Sequence, residues 1–421
     1  MKTVWICLLS VLATACGSSS STTGSGGEGG SGGAGGGMGS NSSWTYMALF
    51  DEKSTDGGKS RFHSGEDRVT SIHFSALDKG LVATSAAGQS NQGGLFRANA
   101  TKITGMAIDK DALDLDSFIN IFKTQAGYAA TLATAESTVL SNDNGTSFTK
   151  VRTNLPYGLS RSVVLHDAPD NKWTWVGASG VIAESATPPS LTAVWSALWA
   201  PQGIPPFPNP VPPAPGCQKA PIPPSNPIPE QYVYVSPNRQ FVAFTVYVDS
   251  ADAHQICLSN DFGKTFLAKK LVHDQEHKQP NGANGITFIN DTTGFVFAGD
   301  FLAAGAAYIQ KTTDKGVTWS ANTLPAALKA QQIEIRHVFF APDGVNGFAV
   351  GWYYSPFGPL VLVTTDAGNT WSASTTTAAL KEQMGKDTFG SKLYTGFAFD
   401  KDHLWVGGER GAVYANSKGG Q

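Results

Sequence analysis

The chain has 421 residues, among them 47 Gly, 23 Pro and 4 Cys, with 15% charged side chains and a net charge of −3, a length that would hold two or three average domains. Its 30 basic residues are balanced by 33 acidic ones and form no run, which excludes the clustered cations that a nucleic acid requires. Collagen, coiled coil and multi-pass membrane protein are excluded too, because Gly shows no period of three, heptads are absent and the one long apolar run is N-terminal.

Residues 1–15 read as an export signal: Lys2 supplies the charge, and Val4 to Ala13 form an apolar stretch too short to span a bilayer. Ala13, Thr14 and Ala15 then precede Cys16, an arrangement that resembles a bacterial lipoprotein signal. The resemblance implies lipidation of Cys16. Ordinary signal-peptidase cleavage after Ala15 is the alternative. Residues 16–43 hold twelve of the 47 Gly and are expected to be a flexible Gly/Ser tether with an r.m.s. reach of about 30 Å. Gly17 after the cysteine, by resemblance to the enterobacterial sorting rule, implies an outer-membrane lipoprotein of the cell envelope. Contact with the membrane is then through the lipid anchor alone, on the periplasmic or the surface side.

Cys7 lies in the signal, so Cys217 and Cys257 remain in an oxidising compartment, where they pair or persist as two buried or free thiols. Neither has a second Cys or a His at ligand spacing, so no metal site is expected. A disulfide would close a 40-residue loop, contribute about 3–4 kcal/mol, and pin the Pro-rich segment 201–229, which holds thirteen of the 23 Pro.

A turn of the form Ser/Thr-x-Asp-x-Gly-x-Ser/Thr-aromatic recurs through the rest of the chain. Its copies centre on Asp143 and Gly145, Asp261 and Gly263, Asp314 and Gly316, and Asp366 and Gly368. The Asp accepts bonds from the turn's own amides, Gly supplies positive φ, and the aromatic anchors the returning strand, so these residues are structural. Asp261 to Asp314 spans 53 residues and Asp314 to Asp366 spans 52, with a decayed copy at 415–419 and weak copies near Asn99 and Ser185. Subtracting the Pro-rich tract from the one long gap leaves an ordinary repeat. Seven units emerge, each with two apolar strands before its turn, as in Val338-Phe-Phe340 followed by Gly347-Phe-Ala349. Short strands at this period describe four-stranded blades.

The expected fold is all-β, a seven-bladed β-propeller over residues 44–421, with 201–229 as an interblade insertion. Because the last unit lacks a fourth strand, the orphan strand at 44–50 is expected to close the last blade and remove the exposed edges. The stretch 54–60 looks like an eighth turn but lacks inner strands.

The unit from Gly347-Phe-Ala-Val-Gly351 to Thr364-Thr-Asp366-Ala-Gly-Asn-Thr-Trp371 resembles a blade of the BNR/Asp-box propellers. It is most similar to the photosystem II stability and assembly factor-like branch. The resemblance implies the fold rather than a function, since Asp boxes also occur in sialidases, other glycosidases and sorting receptors. The Arg-Ile-Pro signature of sialidases is absent, which disfavours that activity.

In such a propeller the Asp-box turns lie on one face and the ligand face is opposite. The candidates there are Asp300, the inner-strand residues Glu334, Arg336 and His337, the aromatic loop Trp352, Tyr353, Tyr354 and Phe357, and the pair Glu409 and Arg410. The aromatics could stack on a sugar or on a partner's apolar patch. Alternatively Trp352 packs between blades and the tyrosines alone are exposed. His273-Asp-Gln-Glu276-His277 matches an inverted zinc-protease pattern but lacks room for the helix that pattern needs, so it reads as a polar loop. Catalytic residues are unassigned. A glycosidase would need two carboxylates about 5–9 Å apart, with Asp300 and Glu409 as candidates. The chain therefore reads as a monomeric binding or assembly-scaffold module without cofactor, recognising a protein or carbohydrate on the face opposite the Asp boxes. A glycoside hydrolase of the Asp-box type is the alternative.

Overall fold

A computed structural model describes residues 44–47, 68–85, 94–108, 118–124, 127–132, 137–153, 162–165, 172–177, 182–194, 196–199, 217, 233–236, 238–246, 255–270, 283–299, 307–384 and 392–420. The signal, lipidation site and tether, the insertion apart from Cys217, the eighth turn, the His273–His277 pattern and Asp300 lie outside the described residues. The chain divides into two units, 1–41 and 42–421, and every described residue belongs to the second.

Strand β1 is Trp44–Met47. β2 (Arg68–Ala76), β3 (Lys79–Ser85), β4 (Gly94–Ala98) and β5 (Ile103–Met106) then pair in chain order as one sheet. The same order recurs in β6 (Phe118–Lys123), β7 (Tyr128–Leu132), β8 (Ser137–Ser141) and β9 (Thr149–Arg152). It recurs again in β10 (Ser162–Leu165), β11 (Trp173–Gly177), β12 (Ile182–Ser185) and β13 (Ser196–Trp199). The next set is β14 (Val233–Val235), β15 (Val242–Val246), β16 (Gln255–Ser259) and β17 (Leu267–Lys270). A sheet of β18 (Gly285–Phe288), β19 (Gly294–Ala298) and β20 (Tyr308–Thr312) precedes the one-turn helix α1 (Ala326–Lys329). Then come β21 (Ile333–Phe340), β22 (Gly347–Tyr354), β23 (Phe357–Thr364) and β24 (Ser372–Ala373), and after helix α2 (Thr377–Met384) the strands β25 (Leu393–Ala398), β26 (Leu404–Gly408) and β27 (Val413–Asn416).

Each first strand touches the first strand of the next sheet, from β2 through β6, β10, β14, β18 and β21 to β25, which returns to β2. The sheets therefore close a ring around these inner strands, and the fold is an all-β propeller. Second strands are sandwiched between neighbouring sheets, so their side chains are hidden on both faces. This is why Gly294-Phe-Val-Phe-Ala298 and Leu404-Trp-Val-Gly-Gly408 are buried throughout. Phe74, Phe288 and Phe340 lie over Gly80, Gly294 and Gly347, where a Cβ would collide with the ring. The repeated pairing of a late first-strand Phe with an early second-strand Gly is thus a packing rule of the blade.

The expectation of seven four-stranded blades is corrected: among the described residues six sheets have four strands and β18–β19–β20 has three. The reason is local. Beside β20 the segment 320–323 bonds to the ladder partly through side chains, with the Ile309 and Lys311 amides donating to Asn322 Oδ1 (3.1 Å) and Ser320 Oγ (2.9 Å). An Asn and a Ser thus take ladder positions that backbone carbonyls hold in a regular strand.

Closure by the N-terminus matches expectation. β1 pairs antiparallel with β27, Trp44 opposite Asn416 and Met47 opposite Val413, and is the outermost strand of the sheet β1–β27–β26–β25. Cys217 and Cys257 form a disulfide that ties residue 217 to β16. Among the described residues no helix is long and apolar enough to cross a membrane.

The four repeated turns share one set of bonds. The Ser/Thr hydroxyl that opens each (Ser141, Ser259, Thr312, Thr364) donates to the Asp Oδ1 at 2.7–2.8 Å and accepts the Gly amide at 2.7–2.9 Å. The same Oδ1 accepts the amide of Ser147, Thr265, Thr318 or Thr370, and Oδ2 accepts that residue's hydroxyl. Two successive residues are left-handed in each turn, as at Ala367 (φ 57°) and Gly368 (φ 76°), which suits a tight antiparallel return. These bonds hold Asp143 at about 2, with the Ser147 hydroxyl the largest cause. At Asp366 partial burial pushes the carboxyl up, but the bonds from Thr370 and Thr364 outweigh it and bring the value to about 2. In the decayed copy Asn416 Oδ1 accepts from the Lys418 and Gly420 amides, so Gly420 rather than Gly419 takes the glycine place, one residue later than the spacing suggests.

Candidate functional site

Because neighbouring strands are antiparallel, the start of a first strand, the end of the second and the start of the third share one end of the ring, opposite the Asp turns. Among the described residues at that end, one cluster combines charge with aromatic surface.

It is built on backbone irregularities. β2, β6, β21 and β25 share a register shift in the strand, with one extra residue at Thr70, Ile119, Arg336 and Tyr394, and β2 carries a second shift at Ser75. Ile119, Arg336 and Tyr394 lie four residues before the partner of the second strand's first residue, as Arg336 does before Phe340 opposite Gly347, and Thr70 lies four before Phe74, opposite Gly80, the second residue of β3. A bulge at one fixed place re-aims the strand end and the side chains it bears. Gly351 makes room for it: a Cβ there would run into the Glu334 carbonyl.

Two groups of like composition result. In the first, Glu334 Oε1 lies 3.2 Å from Arg336 Nε and accepts Asn284 Nδ2 at 2.8 Å, while Oε2 accepts the Tyr354 hydroxyl at 3.1 Å. In the second, Glu409 Oε1 lies 3.0 Å from Lys392 Nζ and accepts the Tyr394 hydroxyl at 3.3 Å. Trp352 joins them, with the Arg336 guanidinium 5.1 Å and Lys392 Nζ 5.7 Å from its ring and Tyr394 packed at 5.5 Å. Arg68 lies 5.4 Å over Tyr394, and its backbone bridges to that of Glu409 across the sheet boundary. Lys392 also sits 5.9 Å over the ring of Phe357.

The charges are layered. The Glu334 and Glu409 side chains are 6% and 4% exposed, whereas Arg336 and Lys392 are 28% and 33% exposed. The carboxylates thus act as buried counter-ions that fix the cations, and the solvent meets Arg68, Arg336 and Lys392 against two neutralised acids. Burial and the nearby Glu334 push the Tyr354 phenol up to about 12, and burial with Glu409 pushes Tyr394 up further, so both remain hydroxyl donors.

The expected face residues divide accordingly. Glu334, Arg336, Glu409 and Trp352 come together, but Trp352 lies within β22 rather than on a loop and is 3% exposed. It packs between sheets, against Tyr394. Tyr353 and Tyr354 are half-buried, and Phe357 is exposed. His337 turns inward: its Nδ1 accepts the Gly396 amide at 3.0 Å and meets Thr395 Oγ1 at 3.2 Å, and burial lowers its pKa to about 3. It is a neutral latch between β21 and β25 rather than a ligand group. Arg410 adjoins Glu409 with φ 54°. Of the two carboxylates considered for glycoside hydrolysis, Asp300 lies outside the described residues and Glu409 is committed to Lys392.

Sequence reasoning missed Arg68, Lys392, Tyr394 and Asn284. A signal for two of them was present, because Glu334 and Lys392 stand six residues before the first-strand partner of the second strand's start, and Arg68 stands six before Phe74, opposite the second residue of β3. A charge in that column interrupts an apolar strand. Among the described residues no cluster of His, Cys, Asp and Glu could hold a metal ion.

The ring and its layered mouth place the chain among the β-propellers. No protein-family profile and no curated protein sequence matches it. Among solved structures it is similar to YCF48 from Cyanidioschyzon merolae, with a TM-score of 0.56 at 13% identity over 89% of this chain and 98% of that one. YCF48 bound to D1 peptide gives 0.52 at 12% identity over 83% and 93%. The GH74 enzyme of Niastella koreensis gives 0.48 at 16% identity over 73% and 45%. At these identities the likeness is one of fold.

Proposed function

We propose that this chain is an exported, lipid-tethered Asp-box propeller that serves as a binding or assembly scaffold in the cell envelope. Its partner is a protein, engaged at the mouth opposite the Asp turns, where part-exposed Arg336, Lys392 and Arg68 favour an anionic segment flanked by apolar groups that meet Phe357 and Tyr353. The observation that carries this reading is the layering of that cluster, with buried carboxylates below part-exposed cations. Fixed charges of this kind orient a partner and speed its encounter. The fold likeness to a propeller solved with a bound peptide lends support. Commitment of Glu409 to Lys392 weighs against its use as a catalytic acid.

The test is crosslinking and pull-down from native envelopes with the wild-type chain and the Arg336→Glu/Lys392→Glu variant. Loss of a specific protein with the variant is expected; equal capture by both chains overturns the mouth as the binding face. Mass spectrometry of the N-terminus tests the anchor, for which a diacylglyceryl Cys16 is expected and an unmodified one rejects lipidation.

A further inference from the structure

Strand β1 is four residues long, yet its two buried side chains reach both interfaces that support the mouth. Trp44 is 2% exposed and shares a core cluster with Leu393, Val406, Tyr414 and, from α2, Leu380 and Met384. Its indole N–H donates to Thr376 Oγ1 (2.9 Å) on the segment leading into α2. Leu393 stands between Lys392 and Tyr394, the cation and hydroxyl that hold Glu409. Met47 is 1% exposed and shares a second cluster with Val69 and Val413. Val69 follows Arg68. Val413 lies opposite Met47 and begins β27 just after the turn in which the Ala412 amide donates to the Glu409 carbonyl (3.0 Å). Between them Thr45 and Tyr46 are exposed. This edge strand, with one ladder partner, therefore holds from behind the backbone that positions Arg68, Lys392, Tyr394 and Glu409.

We propose that β1 is a strap that regulates the mouth: seated, it sets the Lys392–Glu409–Tyr394 geometry and the approach of Arg68, and unseated, it releases them. Local openings span energies from near zero up to global unfolding, and a short edge strand belongs to the low end. Pull on the preceding residues would then be read as loss of the binding geometry. The regulatory meaning rests on the binding function proposed above, but the coupling does not.

The experiment is amide hydrogen exchange on the full-length chain, which needs no ligand. Trp44→Ala should speed exchange about tenfold in 393–398, and Met47→Ala should do so in 68–72, while 242–246 in the distant sheet keeps its wild-type rate. The pair Thr45→Cys/Ala415→Cys, whose Cα atoms face each other in the ladder, should when oxidised slow exchange in both inner strands relative to its reduced form. Equal acceleration in all sheets, or no difference between oxidised and reduced forms, overturns the strap. If Trp44→Ala fails to fold, the oxidised and reduced comparison still decides. Capture of the envelope partner is scored separately: exchange coupling without a partner leaves the strap standing and rejects the binding reading, whereas a partner lost on Arg336→Glu/Lys392→Glu without exchange coupling does the reverse.

Discussion

The two ends of the ring are stabilised in opposite ways. At the Asp-turn end each unit is satisfied within a few residues: one carboxylate takes a hydroxyl two residues back and an amide and hydroxyl four residues on, and the same bonds recur four times. At the mouth Arg336 neutralises Glu334 from two residues on, but the other partners are farther apart in the chain. Trp352 meets Tyr394, Arg68 meets Glu409, and the two buried carboxylates are neutralised by cations from strand ends that the bulges re-aim. Local satisfaction makes a module that can be copied, whereas the mouth is assembled from several adjoining sheets and depends on each neighbour.

The largest effect expected is at the mouth. Gly351→Ala places a methyl group against the Glu334 carbonyl, and overpacking there should cost about 3 kcal/mol in urea unfolding and abolish partner capture. Lys392→Met leaves the buried Glu409 with little more than the Tyr394 hydroxyl; allowing for the one-third exposure of Lys392, the loss should be about 2 kcal/mol. Adding Glu409→Gln should recover most of it, and a double-mutant cycle that instead proves additive would show that the two are not coupled.

The turns should respond in the contrary way. Asp261→Ala and Asp366→Ala each remove bonds at exposed sites and should cost about 1–2 kcal/mol, and the double variant should be additive within about 0.5 kcal/mol. Neither should change partner capture. Strong non-additivity would mean that the turns communicate.

The smallest effect is with acid. The turn carboxyls are lowered in the fold from the ordinary value of 3.8, Asp143 and Asp366 to about 2 and Asp261 and Asp314 in the same direction. The unfolded chain therefore takes up protons first as pH falls. Their stabilisation is complete above about pH 4 and is lost on descending through pH 2. The urea midpoint should fall over that interval, and Asp143→Asn/Asp366→Asn should flatten the slope.

What could be read in the sequence was what a local physical rule repeats. The four Asp turns, the blade period, the closing strand and the Cys217–Cys257 pair were legible because each rests on short-range bonds, strand arithmetic or compartment chemistry. The three-stranded sheet was not, since nothing in the repeat spacing reveals that Asn322 and Ser320 would take ladder places. Trp352 was ambiguous because three aromatics in a row read equally as loop or strand end, and register with β21 and β23 decided it. His337 read as a face residue because the bulge at Arg336 cannot be seen from alternation alone, and the shift by one turned it toward Gly396.

The sequence by itself thus determined the unit, its turn and the closure of the ring, because those follow from bonds within about fifty residues and from the need to cover strand edges. Only the tertiary structure decided which charges meet. Arg68 and Glu409 are 341 positions apart, and Coulomb energy depends on distance and burial, which a closed ring sets by bringing its first and last blades together.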